Sequence, residues 1–204
     1  MGLLDVILGR SKPVRPDLDR LFALPSAALT LQAGAGFRPT GLGSVCFATV
    51  EGGAFDGLRQ EVGELLAAGL REDTEDSGPQ VEFSQDGYGY TWLLSRHPAE
   101  DTAGLVNDLH AVNTLLQEGG FGPQLLCSLM GFRDAGQRPL ALVYLYKRGT
   151  FYPFAPVPGG EGASGGPGRR DNGLELQVRA LLGDDLRIEP DLARWFPVWG
   201  APGL

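Results

Sequence analysis

The sequence predicts an α+β fold: an antiparallel sheet of about six strands with helices packed on one face, in the order α-ββ-α-ββ-α-ββ-α. Three observations carry this. Short apolar runs alternate with long segments whose apolar positions recur at helical period. The short runs come in pairs, as antiparallel neighbours do, instead of one strand per helix as a parallel sheet requires. One pair is separated by Asp86-Gly87, a two-residue hairpin signal. With 204 residues, 43% hydrophobic and 21% charged, the chain has the size and composition of a single globular domain, residues 1–204.

Residues 3–8 predict a helix of about one and a half turns, with Leu3, Leu4, Ile7 and Leu8 on one side. So short a helix would fray in isolation. A second helix is expected over Asp17–Leu24, with Leu18, Leu21 and Phe22 inward and Pro25 ending it. The alternation of Leu29 and Leu31 around Thr30 then predicts a strand over Ala28–Gln32. After a loop over Gly34–Gly43, a strand over Ser44–Val50 is apolar on both sides, which places it centrally.

The first long helix is expected over Ala54–Leu70, its stripe formed by Phe55, Leu58, Val62, Leu65 and Leu66. Arg71–Pro79 reads as a charged surface loop. In the hairpin Gln80–Ser95, a type I′ turn at Asp86-Gly87 sets Gln85 opposite Tyr88, Phe83 opposite Tyr90 and Val81 opposite Trp92. That register gives one aromatic face and one polar face. Pro98 opens a second long helix over Ala99–Glu118, with Leu105, Leu109, Val112 and Leu116 as its stripe and Gly119-Gly120 as its end.

Strands over Gln124–Phe132 and Pro139–Lys147 follow, the latter apolar on both sides and therefore deep in the sheet. The glycines of Pro156–Gly168 predict a mobile loop, spanning about residues 156–170, which cannot bury enough surface to offset the entropy of ordering. A last helix is expected over Gly173–Leu182. The tail Pro190–Trp199 carries Trp195, Phe196 and Trp199, large apolar groups that are expected to fold back onto the body.

The net charge of −8 argues against phosphate-driven nucleic-acid binding, which needs a basic face. Residues 51–86 hold ten acidic groups against two basic, so this stretch carries the whole net charge. No run of about twenty apolar residues predicts a membrane span. At the N-terminus the positive charges follow the apolar stretch, the reverse of a secretory signal, so a cytoplasmic location is expected. Val6 at the sixth position argues against myristoylation of Gly2.

Reactive constellations are not evident in the sequence. The only histidines, His97 and His110, lack metal-ligand spacing, and each reads as structural. Gly41-Leu42-Gly43-Ser44-Val45 is not a nucleophile elbow, and the glycine-rich stretch lacks the Gly-Lys-Ser/Thr ending of a phosphate loop. Cys46 and Cys127 sit in apolar, strand-like runs and read as buried, inert thiols. The acidic pairs Glu72-Asp73 and Glu75-Asp76 lack calcium-loop spacing and read as solvated. No catalytic, cofactor-binding or metal-ligating residue is therefore assigned.

The basic, apolar segment 1–16 remains. Leu3, Leu4, Ile7 and Leu8 would insert into a membrane surface or meet another protein, while Arg10, Lys12 and Arg15 would meet anionic groups. Docking of the same segment on the core is the structural alternative.

In Met1-Gly2-Leu3-Leu4-Asp5, in Gly9-Arg10-Ser11-Lys12-Pro13, in Leu18-Asp19-Arg20-Leu21-Phe22-Ala23-Leu24-Pro25-Ser26-Ala27 and in the closing Ala193-Arg194-Trp195-Phe196-Pro197-Val198-Trp199, the chain resembles the PspA-associated PspAB family. That family is frequent in actinobacteria. The resemblance implies a link to the phage-shock envelope-stress response, with a PspA-like protein and an HtpX-type membrane protease as partners and no established catalytic or cofactor residue. The expected function is thus a non-enzymatic accessory or adaptor protein acting by binding, cytoplasmic with peripheral contact at the inner face of the membrane. Two other classes are carried beside it: a peptide-binding chaperone resembling secretion chaperones, and an enzyme with an unrecognised pocket.

Overall fold

The structure, a computed structural model, describes residues 16–49, 52–68, 81–157 and 168–204. Its six antiparallel strands are β1 (Arg38–Ala48), β2 (Val81–Gln85), β3 (Tyr90–Arg96), β4 (Leu125–Arg133), β5 (Pro139–Leu145) and β6 (Thr150–Phe154). They lie side by side in the order β2-β3-β1-β4-β5-β6. The α-helices are α1 (Leu24–Ala35), α2 (Gly53–Ala68), α3 (Thr102–Leu116) and α4 (Asn172–Leu181). Helix and strand are thus combined in the predicted class, an antiparallel α+β fold, with β1 central as expected.

The expected strand Ala28–Gln32 is instead part of α1. Leu24, Ala27, Ala28 and Leu31 are buried at i, i+3, i+4 and i+7, a helical stripe, while Leu29 is 72% exposed. Pro25 does not stop a helix here. It occupies the first turn, where its missing N–H has no intrahelical partner to lose, and a 3-10 segment at Leu18–Ala23 runs directly into α1. Within that segment Leu21 is fully buried but Phe22, expected inside, is 48% exposed.

The sixth strand is β6, which the sequence did not announce. All five of its residues are buried, so its pattern lacks the period-two alternation that marks a half-buried strand. Its outer edge is closed by the chain at residues 187–189, where the Phe151 N–H donates to Arg187 O and the Glu189 N–H to Phe151 O. β1 begins six residues earlier than expected, at Arg38, and takes in most of the anticipated loop; a bulge lies between Pro39 and Gly43.

The β2–β3 hairpin is real but its register differs. Val81 faces Ser95, Phe83 faces Leu93 and Gln85 faces Thr91. The turn is not type I′ at Asp86-Gly87, because neither residue has positive φ; that conformation falls on Gly89, at φ +84°. The loop is Gly87-Tyr88-Gly89, folded around the Asp86 carboxylate, which accepts from the N–H groups of Tyr88 (2.9 Å) and Tyr90 (3.0 Å) and from Trp92 Nε1 (3.0 Å). Three residues of slip is an odd number, so side-chain facing inverts. Phe83 and Leu93 pack toward the helices and Trp92 toward the opposite side.

Both faces of the sheet are therefore covered. On one, α1, α3 and α4 pack over Val45, Phe47, Leu93, Met130, Phe132, Leu142 and Tyr144. On the other, Cys46, Trp92, Cys127, Leu129, Val143, Tyr152 and Phe154 lie beneath the C-terminal tail through Trp195, Val198 and Ala201. The tail thus folds back as its composition predicts, although Phe196 stays 59% exposed. Of the expected α2 stripe, Val62 is buried; the side chains of Phe55, Leu58, Leu65 and Leu66 lie outside the described residues, as do the predicted helix at 3–8 and the loop at 71–79. The glycine-rich stretch is described only at its base, where Pro156 bridges Arg170 and the Val157 N–H donates to Arg169 O at 2.8 Å.

Candidate functional site

The seven predicted contact residues, Leu3, Leu4, Ile7, Leu8, Arg10, Lys12 and Arg15, lie outside the described residues. Tyr144 Oη donates to Asp17 O at 2.8 Å, and Arg20 Nε meets Asp17 Oδ2 at 2.8 Å. Burial pushes the Tyr144 hydroxyl up to about 12, so it remains a hydrogen-bond donor at physiological pH. Beyond this anchor the Phe22 ring lies against His110, tilted by 32° at 4.7 Å between centroids, and His110 Nε2 approaches Asp19 Oδ1 at 3.4 Å. Phe22 and Leu29 are both exposed on this helical stretch, with Ser26, which donates to Asp185 Oδ1 at 3.3 Å, between them.

His97 lies in the corner between β3 and α3, where its ring bridges two carboxylates. Nδ1 is 3.1 Å from Asp101 Oδ2, and Nε2 is 2.8 Å from Asp108 Oδ2, which also accepts from Ser95 Oγ at 2.6 Å. The bond with Asp108 is the main cause that raises His97 above the usual imidazole value; burial opposes it and Asp101 adds to it. Asp101 also caps α3, accepting from the Gly104 N–H at 2.9 Å. The corner closes tightly against β1: the His97 N–H donates to Gly41 O at 2.8 Å, and a Cβ on Gly41, at φ +76°, would fall on the His97 carbonyl. Both histidines thus meet carboxylates. Neither lines the apolar recess between α2, α3 and the sheet, whose walls are Phe47, Val62, Phe83, Leu93, Val112 and Leu116, with the Arg59 guanidinium 4.7 Å over the Phe83 ring.

Cys46 and Cys127 are both buried and free, facing one another across β1 and β4. A hydrogen bond to Cys127 and burial push the Cys46 thiol up, away from the reactive thiolate. Among the described residues no group of three or more His, Cys, Asp or Glu is placed to hold a metal ion, and no helix is long and apolar enough to cross a membrane.

Two buried carboxylates fasten the tail. Glu189 accepts from Arg148 Nε (3.0 Å) and Thr150 Oγ1 (2.7 Å); burial alone would raise it, but these bonds hold it below the usual carboxylate value. Glu175 accepts from Arg170 Nε and the Ala155 N–H, each at 2.9 Å, and burial outweighs them to raise it. Arg170 also donates to Trp195 O, Tyr152 Oη donates to Phe196 O at 2.8 Å, and Trp195 Nε1 donates to Glu189 O at 3.0 Å.

These elements define an α+β protein whose six-stranded antiparallel sheet is closed by helices on one side and by its own tail on the other. The chain belongs to the PspAB family, PspA associated protein B, whose profile matches residues 1–203. No curated protein and no solved structure matches it.

Proposed function

We propose that this protein is a non-enzymatic accessory of a PspA-type envelope-stress response and acts by binding, with residues 1–15 as its contact segment. Membership of the PspA associated protein B family over residues 1–203 is the observation that carries the reading. The segment's composition supports the mode: Leu3, Leu4, Ile7 and Leu8 supply apolar area, and Arg10, Lys12 and Arg15 supply attraction to an anionic surface. Neither contribution alone gives firm attachment, so a reversible encounter at the inner face of the membrane follows. A PspA-like protein is the primary partner in this reading, with an HtpX-type membrane protease second.

Deleting residues 1–12 tests it. Binding to a PspA-like protein and to anionic vesicles should fall at least tenfold, while the melting temperature stays within about 2 °C because the Asp17 anchor is retained. Unchanged binding in both assays rejects the segment as the contact.

A further inference from the structure

We propose that Cys46 and Cys127 are an oxidation site, at which hydrogen peroxide converts the two thiols into a disulfide that staples β1 to β4. This goes beyond the binding role above and does not depend on it.

The sheet assembles the pair. Cys46 and Cys127 are the only cysteines of the chain, and they are direct partners in the β1–β4 register. Directly opposed residues of antiparallel strands have Cα atoms about 4.5–5.5 Å apart, inside the roughly 4.4–6.8 Å that a disulfide spans. Both side chains belong to the tail-covered face, where the thiols share a hydrogen bond. Opposed Cβ atoms also lie about 4.5–5.5 Å apart, so closing the bond draws them together by up to about 1 Å. The ladder yields at this point. Pairing passes from Cys46↔Cys127 to Phe47↔Leu125, which leaves Leu126 as an extra residue beside the pair, and such a bulge interrupts the regular hydrogen bonds and lets the strands adjust.

Access is graded along the pair. Cys127 is 8% exposed and Cys46 4%, an opening that favours an oxidant of about water's size over a bulky electrophile. The bond to Cys127, burial and the nearby Asp86 charge all push the Cys46 thiol up, so it keeps its proton and the site answers a high peroxide load instead of a basal one. Cys127, the more exposed, reacts first. Its sulfur attacks one peroxide oxygen, the O–O bond breaks, and one water leaves as the sulfur becomes a sulfenic acid. The Cys46 sulfur then attacks the Cys127 sulfur: S–S forms, S–O breaks, and the Cys46 proton leaves with the hydroxyl as a second water. In total two thiols and one hydrogen peroxide give one disulfide and two waters, with sulfur oxidised and peroxide oxygen reduced. Contact between the partners makes the second step intramolecular. The bond falls on the seam of the sheet, with β2-β3-β1 on one side and β4-β5-β6 on the other, so it clamps the two halves together.

The test treats the reduced full chain, folded at neutral pH, with millimolar hydrogen peroxide, then unfolds, alkylates and maps it by mass spectrometry. A mass loss of about 2 Da, the two thiol hydrogens, with a linked Cys46–Cys127 peptide in a monomer that dithiothreitol restores, supports the proposal. In Cys46→Ser the resolving thiol is gone, and dimedone should trap Cys127 as its sulfenic acid. In Cys127→Ser, peroxide consumption should slow at least tenfold. The wild-type result is read without either variant, so their folding does not decide it. Thiols that stay free, sulfinic or sulfonic acid without a linked peptide, or bonds between copies overturn the proposal. A rate that climbs with low urea in step with global unfolding also overturns it, because the bond would then form in the open chain.

Discussion

His97 is held between Asp101 and Asp108, and two hydrogen-bond acceptors around one ring favour the imidazolium. The sign of the pH dependence follows from the raised value. Below the unfolded value of about 6.5 the contribution is fully present, and it is lost as pH rises through the folded value. Urea unfolding should therefore show a lower midpoint at pH 9 than at pH 6. Asp108→Asn removes a charge-assisted bond and should cost about 1.5–3 kcal/mol at pH 6, with a smaller difference between the two pH values. Equal pH dependence in wild type and variant would remove His97 as the cause. On the acid side, Glu189 has the opposite sign. Its depressed value contributes above about pH 4.5, the usual carboxylate value, and is lost as pH falls through the folded one.

Helix α1 is where sequence and structure part most clearly, and two leucines in it separate the readings experimentally. In a strand, Leu29 and Leu31 would share one face. In α1 they do not: Leu31→Ala should cost about 2–5 kcal/mol, while Leu29→Ala should stay within about 0.5 kcal/mol in chemical denaturation. Similar losses at both positions would favour the strand. The error arose because Leu29, Thr30 and Leu31 satisfy period two over three residues, a window too short to compete with the longer stripe Leu24, Ala27, Ala28, Leu31. The stripe includes two alanines, which carry little hydrophobic signal but bury fully.

Other elements were legible for definite reasons. α3 announces itself through Leu105, Leu109, Val112 and Leu116, all buried. β4 and β5 emerge within two residues of their expected ends because both faces are apolar and the turn between them is polar. The hairpin was visible as a hairpin, yet Asp86 organises its loop through its carboxylate, by bonds to Tyr88, Tyr90 and Trp92, instead of occupying a two-residue turn, a role that the Asp-Gly dipeptide alone does not encode. The His97 cluster was also hidden. Asp101 at i+4 was available to inspection as a cap, but Asp108 and Ser95 join it only when β3 and α3 pack. For the terminal contacts, the pattern of residues 1–15 was readable as chemistry, and those residues lie outside the described part of the structure.

At the scale of the whole molecule the second face of the sheet depends on the tail. Removing residues 191–204 would strip Trp195, Val198 and Ala201 from Tyr152, Phe154, Leu129 and Val143. The loss of one buried Trp is worth about 3–5 kcal/mol by itself, a large part of a normal folding free energy. The truncated chain should bind a hydrophobic dye such as ANS and melt at least 10 °C lower; a cooperative, dye-free protein would show that the tail is dispensable. Glu189 and Glu175 explain why the tail is fixed in direction as well as buried, since each ties a different neighbour to it.

The closure of β6 by residues 187–189 has a further consequence for the behaviour of many copies together. A sheet that could extend at both margins could stack end to end without limit. Here one margin is already paired within the molecule, and its opposite margin is β2, preceded in sequence by the run Glu72-Asp73-Thr74-Glu75-Asp76. Two molecules meeting through β2 would end at a pair, because the other margin of each is already taken. The architecture thus resists fibrous self-association, and the protein is expected to stay free of end-to-end aggregates even at high concentration.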